Sequence, residues 1–173
     1  MKKHDRKSIR LPKYDYAQAG AYFVTICVDG RECVLGRVVG GDFEASDFGE
    51  IANSEILATN GNFQFVDINH WCIMPNHMHM IVEIHEASGR GEVTSPLHSD
   101  SKVTQPTLGQ IIASYKYHST KAINQMLGTP GVRFWQRNYY ERVIRTQSEF
   151  EAIYDYIQGN PLNWEQDEEY RPQ

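Results

Sequence analysis

A chain of 173 residues is long enough for a domain with a sizeable core and short for two, so residues 1–173 are expected to form a single domain. Hydrophobic residues make up 40% and charged residues 23%, near the globular average, which excludes wholesale disorder, collagen-like repetition and coiled coil. No stretch approaches the roughly 18 consecutive apolar residues of a spanning helix, and the basic residues 1–13 lack the apolar run of a signal peptide. Cys27, Cys33 and Cys72 show no CxxC spacing. The expectation is a cytoplasmic protein with reduced core cysteines and no membrane partner.

The formal net charge of −5 hides strong segregation. Residues 1–13 carry six Lys/Arg against one acid, residues 14–101 three against thirteen, residues 102–145 seven against one, and residues 146–173 one against seven. A local field, not the total, attracts a polyanion, so the stretch from Lys102 to Arg145 could line a nucleic-acid surface. Charge alone favours two solvated basic faces.

Residues 21–28 are β-branched and aromatic and stop at Asp29-Gly30, which predicts a strand and a turn. A second strand is expected over 34–39. Phe48, Ile51, Ile56 and Leu57 lie near helical spacing and predict a helix over 47–60, with Gly61 as its stop. Residues 65–74 and 77–84 are two more strand-like runs, and Pro75-Asn76 between them suits a tight antiparallel connection. Ser, Gly, Thr, Pro and charge dominate 86–106, as expected of a flexible surface insertion. Leu108, Ile111, Ile112, Tyr115 and Ile123 then form one buried stripe of a long helix ended by Gly128-Thr129-Pro130. Residues 132–144 mix aromatics with arginines and follow no clean period. Ser148-Glu149-Phe150-Glu151 fits a capping box at the start of a last helix, which Asn160-Pro161 ends. The pattern predicts an α+β fold with helices packed on an antiparallel sheet.

His77-Met78-His79 is the sharpest local feature. Residues i and i+2 of a strand project from one face, so both imidazoles can reach one divalent ion while Met78 and Met80 face the core. Two ordinary polar strand residues are the simpler alternative, and a site needs a third ligand. His85 would lie about 20 Å further along an unbroken strand, too far to share that ion. His70 and His118 are isolated. On the last helix Phe150, Ile153, Tyr154 and Ile157 fall at i, i+3, i+4 and i+7, which puts Tyr154 in the core. Tyr156 lies roughly 110° from the centre of that stripe, with Asn160 one turn beyond it. A phenol is a weak nucleophile until a metal or base assists, and a carboxamide oxygen can complete an ion site.

Three segments, MPNHMHMIV (74–82), FWQRNYYERVIR (134–145) and YDYIQGNPLNW (154–164), together with the opening at 6–36, resemble the REP-associated tyrosine transposases of the single-tyrosine HUH endonuclease superfamily. The resemblance implies a ferredoxin-like α+β fold. It also implies that Tyr156 is the nucleophile and that His77, His79 and Asn160 hold a divalent cation, Mg²⁺ or Mn²⁺. The implied activity is nicking and rejoining of single-stranded or hairpin DNA through a 5′-phosphotyrosine, as in transposition of REP elements, by a monomer or a homodimer. Lys116, Lys121, Arg137, Arg142 and Arg145 are the candidates for the DNA backbone, with Trp135 and Tyr139 as stacking surfaces. A histidine is common in that group where Arg142 stands here. Two alternatives are a hairpin-DNA binder without turnover and a metallohydrolase acting through bound water.

Overall fold

The computed structural model describes residues 18–86 and 105–172. The expected insertion falls, over 87–104, outside the described residues, as do residues 1–17 of the basic opening. Along the chain run β1 (Gly20–Cys27), β2 (Gly36–Val39), β3 (Asp42–Ala45), α1 (Asp47–Asn62), β4 (Val66–Ile73), β5 (His77–Ile84), α2 (Leu108–Leu127), β6 (Tyr140–Ile144) and α3 (Gln147–Gly159), followed by a 3₁₀ segment at Pro161–Gln166. The four long strands pair antiparallel in the order β4-β5-β1-β6, and β2-β3 is a separate hairpin. Without that hairpin the order is β-α-β-β-α-β, the ferredoxin-like α+β fold.

The period of two along the strands decides what each face carries. Tyr22, Val24 and Ile26 of β1 lie opposite Val82, Met80 and Met78 of β5, and all six are buried on one face. Ala52 and Ile56 of α1 and Leu108, Ile111, Ile112 and Tyr115 of α2 cover them to form the main core. Each fully buried aliphatic side chain contributes about 1.5–3 kcal/mol there. The opposite face carries Phe23, Thr25 and Cys27 on β1 and His77, His79 and Ile81 on β5, and α3 lies over it through Ile157, Phe150 and Ile153. The sheet thus separates an apolar layer under two helices from a partly polar layer under one.

Local chemistry sets the element ends. Ser46 accepts from the Gly49 amide, Thr107 and Gln110 make a reciprocal capping box, and Gly128 adopts the left-handed conformation (φ 66°) that closes α2. Gly49 is required by space, because a Cβ there would collide with the Leu35 carbonyl oxygen. The β2-β3 turn needs positive φ at both central residues, which Gly40 (62°) and Gly41 (91°) supply.

Several expectations are corrected. α1 runs through Gly61 to Asn62, since no left-handed turn forms at Gly61. The run at 34–39 is a short hairpin arm outside the main sheet. Residues 132–144 enter as an extended segment, with Trp135 bridged to Val28, before β6 begins. The α3 cap is Thr146, which accepts from the Glu149 amide; Ser148 already lies inside the helix. Asn160 keeps helical backbone angles ahead of Pro161, and the chain coils on as the 3₁₀ segment. Tyr154 is not core: it is 38% exposed, its ring edge-on to His70. Among the described residues no helix is long and apolar enough to cross a membrane.

Candidate active site

The two histidines of β5 face each other across the buried polar patch of the sheet, with His77 Nε2 2.9 Å from His79 Nε2. Their other nitrogens are held from behind. Asn76 is fully buried, and its Nδ2 donates to the carbonyls of Arg31 (3.3 Å) and Glu169 (2.8 Å), which orients the amide and turns Oδ1 toward His77 Nδ1 at 2.8 Å. Because Oδ1 can only accept, the His77 proton sits on Nδ1 and its Nε2 presents a lone pair to the site. His79 Nδ1 lies 2.8 Å from the Thr25 hydroxyl, its cross-strand neighbour, which can donate or accept. With the His77 Nε2 lone pair 2.9 Å away, the His79 proton sits on Nε2, and its Nδ1 accepts from the Thr25 hydroxyl. Burial, then the neighbouring His79 charge, depress the His77 pKa to about 3 against the opposing pull of Asp167.

From the other side, α3 and the segment after it bring three groups. Tyr156 Oη lies 3.2 Å from His79 Nε2 and donates to Asp167 Oδ2 at 3.0 Å, and Asn160 Nδ2 donates to the same oxygen at 3.1 Å. Asp167 stands 3.8 Å from each histidine Nε2, with a side chain only 2% exposed. Burial alone would raise the Asp167 carboxyl, but hydrogen bonding from His79 and the Glu169 amide, the His77 charge and Asn160 hold it well below the usual range. Burial, then the Asp167 charge and hydrogen bond, push the Tyr156 phenol above its ordinary value. Phe23 completes the wall, stacked on His79 at 5.3 Å and edge-on to Tyr156 at 6.0 Å.

One carboxylate and two imidazoles offer ligand atoms within 4.8 Å of one another, so the cluster can bind a metal ion. The donor set fits. Asn160 is buried with its Oδ1 lacking a hydrogen-bond partner among the described residues, a costly state for an amide that a cation would relieve. The nitrogen and oxygen mixture suits a cation of intermediate hardness, and the Asn76 and Thr25 contacts are the outer partners that fix ligating histidines.

The structure thus brings together His77 and His79, which strand parity paired, and Tyr156 and Asn160, which helical spacing paired; the resemblance had joined the two pairs, and three further participants stood in neither. Asn76 read as a turn residue and Thr25 as an ordinary strand residue. Asp167 sits among seven acids over 146–173 with nothing in the sequence to single it out.

The basic candidates divide. Lys121 and Arg137 line a cleft of about 690 Å³ between α2 and residues 128–137. Lys116 also borders it, but its half-buried amine donates to the carbonyls of Gln136 and Arg137, and burial lowers its pKa, so it ties that segment down. Arg142 lies opposite Phe23 on the site side of β6 and pairs with Glu149 at 3.0 Å; the Arg145 amide donates to the same carboxylate. Trp135 is no stacking surface, being 2% exposed with its indole N–H donated to Ser119 Oγ, and Tyr139 packs on the main core.

No protein-family model matches the chain. An uncharacterized protein of Haemophilus influenzae is 37% identical over 172 residues, spanning 96% of this chain and 94% of its own length. Among solved structures, a REP-associated tyrosine transposase bound to a REP hairpin matches with a TM-score of 0.58 at 19% identity, covering 89% of this chain and 73% of that one. A crystal structure of a transposase candidate from Deinococcus radiodurans matches at a TM-score of 0.43 and 14% identity, over 86% and 95% of the two chains. The chain belongs to one family with the Haemophilus influenzae protein, and it is built on the fold of a REP-associated tyrosine transposase, the group its motifs resemble.

Proposed function

We propose that the protein is a single-tyrosine DNA strand transferase that nicks and rejoins single-stranded or hairpin DNA. The observation that carries this is the meeting of a phenol, two inward-facing imidazoles, a carboxylate and an orphaned carboxamide oxygen in one patch. His77, His79 and Asp167, with Asn160 Oδ1, would hold Mg²⁺ or Mn²⁺, which supplies charge neutralisation and polarisation of a phosphate oxygen. Tyr156 Oη is the nucleophile: it bonds to phosphorus as the bond from phosphorus to the 3′ oxygen breaks, leaving a 5′-phosphotyrosine and a free 3′-hydroxyl. Asp167 Oδ2 accepts the phenolic proton as Oη attacks and releases it to water, and the departing 3′ oxygen takes a proton from water. A 3′-hydroxyl reverses the step and joins strands, with no external energy source because one phosphate ester replaces another. All five side chains meet within one chain. The family resemblance, and the hairpin bound by the fold's REP-associated relative, support DNA as substrate.

A hairpin binder without turnover is favoured by one feature: burial, and after it the Asp167 carboxylate, push the Tyr156 phenol above its ordinary value, which disfavours the phenolate. Incubation with a labelled hairpin oligonucleotide library and Mn²⁺ separates the two. The transferase yields a protein-DNA adduct that vanishes in Tyr156→Phe and persists in Tyr154→Phe. Equal adduct in both variants rejects the nucleophile, cleavage surviving Tyr156→Phe points to a metal-bound water, and binding without adduct supports the silent binder.

A further inference from the structure

We infer that the cleft between α2 and residues 128–137 is a second DNA site, one that takes an unpaired nucleotide of the strand handled at Tyr156. This rests on the strand-transfer reading and adds a subsite to it. At about 690 Å³ the cleft lies in the range of ligand pockets and is roomy for one base with its sugar. Its lining is of two kinds. Tyr117, 61% exposed, and Val132, 55% exposed, offer an aromatic and an aliphatic surface to water, an arrangement that burial in the core would otherwise remove. Lys121, Arg133 and Arg137 surround them, and none of the described residues that line the cleft is acidic, although the chain as a whole is. An aromatic ring flanked by cations is what a single strand requires, with the base on the ring and its phosphates on the charges.

The cleft is also joined to the reaction site. The Gln136 amide donates to the Cys27 carbonyl at 2.9 Å, and Cys27 pairs with His77 across β1 and β5. The Lys116 amine grips the Gln136 and Arg137 carbonyls, so the cleft wall is fixed to the end of the strand that abuts the first histidine. One strand of DNA rounding the end of β1 would reach both places.

The probes are a short oligothymidylate and an abasic strand of equal length, which share phosphates and differ only in bases. The parent protein is expected to bind oligothymidylate on the order of tenfold more tightly by fluorescence anisotropy. Tyr117→Ala should abolish that preference and Tyr117→Phe should retain it. Lys121→Gln combined with Arg137→Gln should weaken both strands alike and reduce the slope of log affinity against log salt by about 1.4. A base preference untouched by Tyr117→Ala overturns the assignment. If neither strand binds at all, the strand-transfer reading falls with it; if adduct forms at Tyr156 while the cleft variants bind like the parent, only the cleft assignment falls.

Discussion

Replacing Asn76 with alanine should damage both the stability of the protein and the metal site proposed at His77, and the two losses can be sized separately. The side chain is wholly buried and makes three hydrogen bonds, to His77 Nδ1, the Arg31 carbonyl and the Glu169 carbonyl. At about 0.5–1.5 kcal/mol for each bond the truncation costs about 3 kcal/mol, and the partners left behind are shielded from replacement water. For a chain of this length that is a fall in melting temperature of about 6–12 °C. The second loss comes from His77. Without the acceptor behind it, its proton is free to move to Nε2 and the ring to turn, and outer partners of this kind are worth about 10–100-fold in metal affinity. Thermal unfolding followed by dye fluorescence reads the first, and calorimetric titration with Mn²⁺, on protein kept well below its melting temperature, reads the second. A variant that melts within a degree or so of the parent and binds Mn²⁺ equally would refute the assignment of Asn76 as the positioning residue.

Asp167→Asn removes the charge that, after burial, raises the Tyr156 phenol, so phenolate titration, taken as the difference from Tyr156→Phe, should show ionisation at lower pH. The depressed His77 makes stability pH-dependent: the folded state binds its proton less readily than the unfolded chain. The stabilisation is therefore full above about 6.5 and is lost as pH falls toward about 3. Urea unfolding across that window should show the decline, and His77→Gln should flatten it. Gly49→Ala forces a methyl against the Leu35 carbonyl and should cost about 1–3 kcal/mol in the same unfolding assay; a neutral result would mean that α1 can shift freely.

Periodic features were legible in the sequence because backbone geometry alone dictates them. The parity of His77 and His79 follows from strand pleating, and the α2 stripe and its Gly128 stop from helical repeat and left-handed capping. Tyr156 and Asn160 sharing a face follows from the same repeat. What stayed hidden depends on tertiary packing. Thr146-x-x-Glu149 and Ser148-x-x-Glu151 both fit a cap, and only the end of β6 at Ile144 selects the first. Tyr154 falls on the apolar stripe, yet α3 has only Ile157 buried, so the ring ends half in water. Trp135 among arginines read as a surface for DNA until Ser119 supplied a buried partner for its indole. Asp167 follows no period, because the hydrogen bonds that seat it come from Tyr156, Asn160 and the Glu169 amide, and Glu169 is held in turn by Asn76 and Arg31.

That seating also orders events during synthesis. Both imidazoles and their supports at Thr25 and Asn76 precede the phenol, the carboxamide and the carboxylate by some 77 residues or more, so they leave the ribosome first. A nascent polypeptide that has reached only β6 carries both imidazoles but none of the three groups that α3 and the segment after it bring to them. The five-group cluster is thus complete only once Asp167 has been made, well after the strand that carries its two histidines.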